Sequence, residues 1–160
     1  NLPVLSPHTG FEVFTVRNNR HINMIAEDLM EKFRYRPHHI FCGRFMKVKF
    51  PHRGLEYNHE SQKAKDIFNG KLDAVVEVIE GVDQLCQFCP DCRNERCQNP
   101  EGNEETVRKW DGIILKGLGI DYGEIKKSGD WLTLIREKAP LKICKTKCPW
   151  KSRCAASELP

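Results

Sequence analysis

The stretch LCQFCPDCRNERC, residues 85–97, holds four of the eight cysteines in the chain. Cys86, Cys89, Cys92 and Cys97 are separated by two, two and four residues. The two overlapping Cys-x-x-Cys steps bring three sulfur atoms within reach of one metal centre, as in the loops of ferredoxins that bind cubane clusters. The same thiolates suit zinc. A disulfide knot is the third interpretation of so dense a group.

Three further cysteines lie in the tail CKTKCPWKSRC, residues 144–154: Cys144, Cys148 and Cys154. Three thiols form a partial site, and Cys42 is the free cysteine that would complete it. The eight cysteines then divide into four and four, which is the ligand requirement of two [4Fe–4S] clusters. Alternatively, the chain binds one cluster, and the remaining thiols are structural or bind zinc.

The composition predicts a protein of the reducing cytoplasm. The chain of 160 residues carries a net charge of +4, and 30% of its residues are charged. This small, dispersed basic excess does not predict nucleic-acid binding. No apolar run is long enough to span a membrane, and the opening residues lack the pattern of a signal peptide. Because thiols stay reduced in the cytoplasm, clustered cysteines there are more often metal ligands than disulfides.

Two adjacent histidines precede Cys42 in the sequence Arg36-Pro37-His38-His39. Neighbouring helical residues point about 100° apart, so the two imidazoles are not expected to bind one metal together. His38 and Cys42 are four residues apart and share one face of a helix. His38 is therefore a candidate metal ligand, a hydrogen-bond partner of a cluster, or a group that activates the Cys42 thiol. A buried, hydrogen-bonded histidine without further function is the alternative for His38 and the favoured interpretation of His39.

The rest of the sequence predicts an α+β fold, mostly helical, with short helices and a minor sheet organised around cysteine-ligated metal sites. DAVVEVIEG, residues 73–81, is rich in β-branched residues and predicts a strand. Asn103 predicts the start of a helix that ends near Gly119. Other helices are predicted from Asn18 or Asn19 through Phe33, from Pro37 to Phe50, over residues 59–72, and from a cap at Asp130. Residues 1–34 are predicted to form an N-terminal arm and helix that docks to a partner, and residues 35–160 the cysteine-rich domain.

Three motifs, in this order, resemble an uncharacterised family known as domain of unknown function 1284. They are RPHHIFC at 36–42, GVDQLCQFCP at 81–90 with a later cysteine, and CKTKCPWKSRC at 144–154. Asp111 and the helix end LKGLGI match two further features of the family. The resemblance covers about residues 35–155 and leaves the N-terminal arm outside it.

Members of that family are described as iron–sulfur proteins without a settled activity, so the resemblance implies cluster binding here. By position, the family's motifs fall on two histidines and seven cysteines: His38, His39, Cys42, Cys86, Cys89, Cys97, Cys144, Cys148 and Cys154. Cys92 departs from the family's usual pattern. The spacing favours Cys92 as a ligand, whereas the resemblance favours Cys97, and both stay open.

The sequence therefore favours a [4Fe–4S] protein, with one or two clusters, that transfers electrons as a small subunit or partner of a larger redox enzyme. Four basic residues accompany the tail cysteines: Lys145, Lys147, Lys151 and Arg153. Their charges would offset the negative charge of a thiolate-bound cluster or dock an acidic partner. One alternative is a cluster-dependent enzyme, or a sulfur- or metal-handling protein, with an open iron site near His38 and His39. The second is a structural zinc protein that binds other macromolecules.

Overall fold

A computed structural model describes residues 30–160 of the chain. Of the arm and helix predicted over residues 1–34, positions 1–29 lie outside the described residues. About 53% of the described residues are helical, and two small sheets complete the structure. The predicted class, an α+β fold with more helix than sheet, is confirmed.

The elements are short and follow one another closely. In chain order, the strands are β1 (Lys32–Tyr35), β2 (Val75–Val78), β3 (Cys92–Arg93), β4 (Arg96–Asn99), β5 (Gly102–Asn103) and β6 (Ile125–Lys127). The α-helices are α1 (Pro37–Phe45), α2 (Gly54–Phe68), α3 (Gln84–Gln87), α4 (Glu104–Leu118), α5 (Ser128–Lys138) and α6 (Lys142–Thr146). Single 3-10 turns lie at Pro51–Arg53, Lys151–Arg153 and Ala155–Glu158.

β2 is the central strand of the first sheet, with β1 parallel on one side and β6 antiparallel on the other. Its Val76 and Val78 are completely buried. The strand predicted over residues 73–81 is confirmed in its centre, although it extends only over Val75–Val78. The prediction that Phe33 belongs to a helix is wrong. Phe33 lies in β1, where buried and exposed side chains alternate. The period of this segment is therefore two residues, as in a strand, and not 3.6.

The first helix is shorter than its sequence predicts. It was expected to continue to Phe50, but α1 ends at Phe45. Met46 adopts an extended backbone and forms an isolated antiparallel bridge with Cys154 in the tail. The pairing with a segment distant in sequence replaces the next helical turn, so a tertiary contact sets this boundary.

Helix α4 begins and ends where its caps predict. The side chain of Asn103 accepts a hydrogen bond of 3.1 Å from the amide of Thr106, which satisfies a free N–H of the first turn. At the other end Gly119 has a φ of 72°, a left-handed conformation that glycine adopts without steric cost. Both predicted boundaries of this helix are confirmed.

Helices α2 and α5 start earlier than predicted. Helix α2 begins at Gly54 and not near His59. Helix α5 begins at Ser128, so Asp130 lies in its first turn and is not the cap. The amide of Ser128 donates to the carbonyl of Ala74 at 2.8 Å. The sheet edge therefore fixes the start of α5 ahead of the local capping signal.

A second, unpredicted sheet follows the cysteine-rich stretch. Strands β3, β4 and β5 pair antiparallel in that order. A two-residue turn joins β3 to β4, and its residues Asn94 and Glu95 have φ values of 51° and 57°. Both lie in the left-handed region that a tight hairpin requires. The hairpin places Cys92 directly opposite Cys97.

The hydrophobic core lies between the first sheet and the long helices, and it reaches the tail. Trp131 is completely buried, and its Nε1–H donates to the carbonyl of Val76 at 3.2 Å. At the far end the core includes the buried thiols of Cys144 and Cys154. The cysteines thus lie at the margin of the core. Within residues 30–160 no helix is both long and apolar enough to cross a membrane.

Candidate functional site

All eight cysteines line one cavity of about 170 Å³. No two of them are joined by a disulfide, and all lie within residues 30–160. The three groups that the sequence separates, at position 42, at 86–97 and at 144–154, therefore meet in space. His38 and His39 line the same cavity, so every candidate residue from the sequence faces one site.

Cys42 is brought to the tail cysteines by the end of α1. The bridge between Met46 and Cys154 is extended by the amide of Lys47, which donates to the carbonyl of Arg153 at 3.0 Å. These contacts align the last turn of α1, which carries Cys42, with the tail. Cys42, which the sequence left as a free partner, thus lies beside the partial site that it was expected to complete.

The tail thiols are close enough to influence one another. Burial raises the pKa of Cys42 well above its ordinary value, and the next contributions come from Cys148, Cys154 and Cys144. Burial also raises the pKa of Cys144, with Cys148 and Cys154 adding to it. A protonated thiol is therefore favoured in the metal-free state. A bound cation reverses that preference, because thiolates bind metal with release of the proton.

The loop cysteines are arranged by two consecutive turns and the hairpin. The amide of Cys89 donates to the carbonyl of Cys86 at 3.0 Å, and the amide of Cys92 donates to that of Cys89 at 2.9 Å. Cys97 then faces Cys92 across the hairpin. The sequence left open which of Cys92 and Cys97 belongs to the site. The structure brings both to the cavity wall.

Cys97 is held in place from helix α4. Its amide donates to Glu104 Oε2 at 2.9 Å, and its Sγ lies 3.4 Å from the carbonyl oxygen of Gly102. Glu104 is the first residue of α4 and only 4% exposed. The hairpin is therefore fixed to the helix by a buried carboxylate.

A buried arginine connects the two walls of the site. Arg36 donates through Nε to Asp111 at 3.0 Å and through both terminal nitrogens to Glu104 at 3.2 Å. Burial alone would lower the pKa of Arg36, but Glu104 and Asp111 raise it above its ordinary value. The side chain stays charged and neutralises two carboxylates in the interior. Sequence reasoning missed this ion pair, because its members are far apart in the chain.

His38 is oriented by Asp111. Its Nδ1 lies 2.7 Å from Asp111 Oδ1, and its amide donates to the same oxygen at 3.0 Å. Burial, with His39 alongside, lowers the pKa of His38. Burial alone would raise the pKa of Asp111, but His38 and Arg36 hold it below its ordinary value. Because the carboxylate oxygen of Asp111 is the acceptor in this contact, His38 donates from Nδ1, and Nε2 is the ring nitrogen left for another partner.

His39 is oriented in the same way by Asp83. Its Nδ1 lies 2.5 Å from Asp83 Oδ2. Asp83 also accepts from the amides of Arg36 at 2.8 Å and Cys86 at 2.9 Å. Burial alone would raise the pKa of Asp83, but His39 and these amides hold it well below its ordinary value. Asp83 is therefore an anionic anchor that fixes His39 and the start of α3.

Ligand atoms of His39, Asp83 and Cys86 lie within 4.8 Å of one another. Among the described residues, this is the one trio of cysteine, histidine or acidic side chains at such short range. The sequence ranked His38 ahead of His39 and did not consider Asp83 as a site residue. The signal for Asp83 was its position three residues before Cys86, where an N-cap aspartate is expected.

The fold and the site together define a small α+β protein whose eight cysteines meet in one cavity. The chain belongs to the family described as Protein of unknown function (DUF1284), whose model matches residues 55–154. The family resemblance seen in the motifs is confirmed, although the match begins after the motif at 36–42. Searches of curated proteins and of solved structures find no match.

Proposed function

We propose that this protein binds iron–sulfur clusters of the [4Fe–4S] type and transfers electrons as a small subunit or partner of a larger redox enzyme. The observation that carries the proposal is the meeting of eight unbridged cysteines in one cavity. Thiols that are brought together from three parts of a chain and not oxidised to disulfides are typical of a soft-metal site.

The number of thiols supports clusters over a single zinc ion. A structural zinc ion takes four ligands, whereas the cavity brings together eight thiols, which is the ligand requirement of two [4Fe–4S] clusters. Among the described residues, the group of cysteine, histidine and acidic ligand atoms at single-ion range is His39, Asp83 and Cys86, which contains only one thiol.

In this proposal the protein's own residues hold the cluster, shield it and balance its charge. A bound [4Fe–4S] cluster supplies one-electron redox chemistry. The partly buried Trp150 lines the cavity next to Cys148 and limits access of water. Lys145, Lys147 and Lys151 are exposed beside the tail thiols. Their charge offsets that of the thiolates and offers a docking surface to an acidic redox partner.

A second candidate function is catalysis at a cluster with one open iron. The grouping of His39 and Asp83 with Cys86 favours it, as does the position of His38 on the cavity wall. An imidazole nitrogen near an open iron site is suited to acid–base chemistry. In this case a small ligand such as cyanide binds the reduced cluster and changes its spectrum. A cluster with four thiolate ligands does not respond in this way.

The test is purification of the full chain without oxygen, followed by a visible spectrum and analysis of iron, sulfide and zinc. We expect a brown protein with broad visible absorption that bleaches reversibly on reduction with dithionite. A colourless, iron-free preparation that is fully folded contradicts the proposal. Stoichiometric zinc in that preparation selects the structural zinc alternative.

A further inference from the structure

We propose that the cavity holds two separate iron–sulfur centres with distinct sets of ligands. The tail set is Cys42, Cys144, Cys148 and Cys154. The loop set is Cys86, Cys89, Cys92 and Cys97. The inference rests on the proposed function and deepens it by fixing the number of centres and the ligands of each.

The two sets are anchored at opposite ends of helix α1. At its start, Arg36 binds Glu104, which in turn binds the amide of Cys97. At its end, Met46 pairs with Cys154. Arg36 and Met46 are ten positions apart in the sequence, which corresponds to about 15 Å along a helix axis. Two anchor points at this distance suit two centres that lie side by side. A single cubane cluster is too small to reach from one anchor point to the other.

Within the tail set, backbone contacts link the members. The amide of Cys148 donates to the carbonyl of Ile143, the residue before Cys144, at 3.1 Å, and the amide of Lys151 donates to the carbonyl of Cys148 at 3.2 Å. Cys154 pairs with Met46 directly after α1, the helix that carries Cys42. Four thiols are the full complement of one cubane cluster.

The loop set is likewise connected within itself. The amide of Cys92 donates to the carbonyl of Cys89 at 2.9 Å. Cys86 is joined to Cys89 by the hydrogen bond between their backbones. Cys97 is the backbone partner of Cys92. Both cysteines that the sequence left as alternatives are therefore assigned to the same centre.

Serine variants of one partly buried thiol from each set test the assignment. Cys148→Ser is the tail variant and Cys92→Ser is the loop variant. Their controls are the exposed neighbours Ser152→Ala and Arg93→Ser. We expect about eight irons and eight sulfides per wild-type chain, and about half of each in either cysteine variant. The controls should keep the wild-type content.

Electron paramagnetic resonance of the wild-type chain gives a second readout, which remains valid even if a cysteine variant does not fold. Reduction should proceed in two steps, and the signal should broaden in the second step because two reduced centres in one cavity couple magnetically. Cys148→Ser and Cys92→Ser should each give a narrow signal from a single centre at every stage of reduction.

Three results overturn the two-centre assignment. They are about four irons in the wild-type chain, loss of all iron from a variant with wild-type circular dichroism, and a signal that never broadens. Each leaves the iron–sulfur proposal standing. That proposal fails only if the wild-type chain, purified without oxygen, contains no iron.

Discussion

Arg36 and Glu104 form two hydrogen bonds of 3.2 Å each, although 68 residues separate them in the chain. Neither side chain is more than 4% exposed. Glu104 also binds the amide of Cys97 at 2.9 Å, so one carboxylate joins the start of α1, the start of α4 and the cysteine hairpin. The geometry of the loop cysteines depends on this ion pair.

Replacing Arg36 with methionine should destabilise the protein strongly. The variant removes the buried guanidinium from Asp111 and leaves Glu104 with only the more exposed Arg108 as a counter-charge, and breaking a buried ion pair in this way typically costs about 3–5 kcal/mol. The measurement is urea unfolding at neutral pH. The control is Arg34→Met, because Arg34 pairs with Glu77 at the surface and its loss should cost about 1 kcal/mol or less. Equal costs for both variants contradict the buried pair.

Asp83 should make the protein sensitive to acid. Its folded pKa lies well below the ordinary value, which is about 3.9. The unfolded chain therefore binds more protons below that pH, and stability is lost as the pH falls towards the folded pKa. Asp83→Asn should cost about 1–3 kcal/mol at pH 7 and lose less stability than the wild type on acidification.

Urea unfolding at neutral and acidic pH measures the effect of Asp83→Asn. The exposed Asp130 supplies the matched variant, Asp130→Asn, which should follow the wild-type curve. If Asp83→Asn and Asp130→Asn have the same pH dependence, the carboxylate of Asp83 does not bind His39 and the two amides as described.

The metal-free protein should lose stability as the pH rises above about 8.5, the ordinary pKa of a thiol. Burial raises the pKa of six thiols: Cys42, Cys86, Cys89, Cys92, Cys144 and Cys154. The folded chain keeps protons that the unfolded chain releases, so the stabilisation is complete below that pH and disappears above it. Thermal unfolding of chelator-treated protein at increasing pH measures the slope, which should be smaller in Cys42→Ala. An identical slope would show that Cys42 ionises freely.

Cys89→Ser should lower both the iron content and the melting temperature of protein purified without oxygen. Cluster binding contributes directly to folding free energy, so a lost thiolate ligand lowers both quantities. The control is Gln87→Ser, an exposed position between two of the loop cysteines. If Cys89→Ser keeps its full iron content and an unchanged melting temperature, Cys89 is not a ligand of the cluster.

Glu95→Gly should stabilise the hairpin by about 0.5–1 kcal/mol, because the left-handed strain that it relieves exceeds the entropy that glycine adds to the unfolded chain. Glu95 has a φ of 57°, which is sterically unfavourable for a residue with a side chain but not for glycine. Asn94→Gly should gain less, because asparagine tolerates the left-handed region. Chemical denaturation compares the two variants. A loss of stability in Glu95→Gly means that the Glu95 side chain makes a contact that outweighs the backbone strain.

Local patterns in the sequence predicted the secondary structure correctly where neighbouring residues determine it. A strand within residues 73–81 and the helix between Asn103 and Gly119 were predicted correctly, because β-branched residues and helix caps act over a few residues. Phe33 was misassigned because a helical stripe continued into a segment that pairs with β2. Pairing between distant segments overrides weak local preference.

The sequence by itself determined how many thiols the protein has, how they are spaced along the chain, and to which family it belongs. The tertiary structure alone decided that Cys42 meets the tail, that Cys92 and Cys97 share one wall, and that His39 lies beside Cys86. The physical reason is the distance along the chain over which each interaction acts. Spacing fixes the geometry of residues within a turn or two, whereas the meeting of distant side chains depends on which surfaces are buried together.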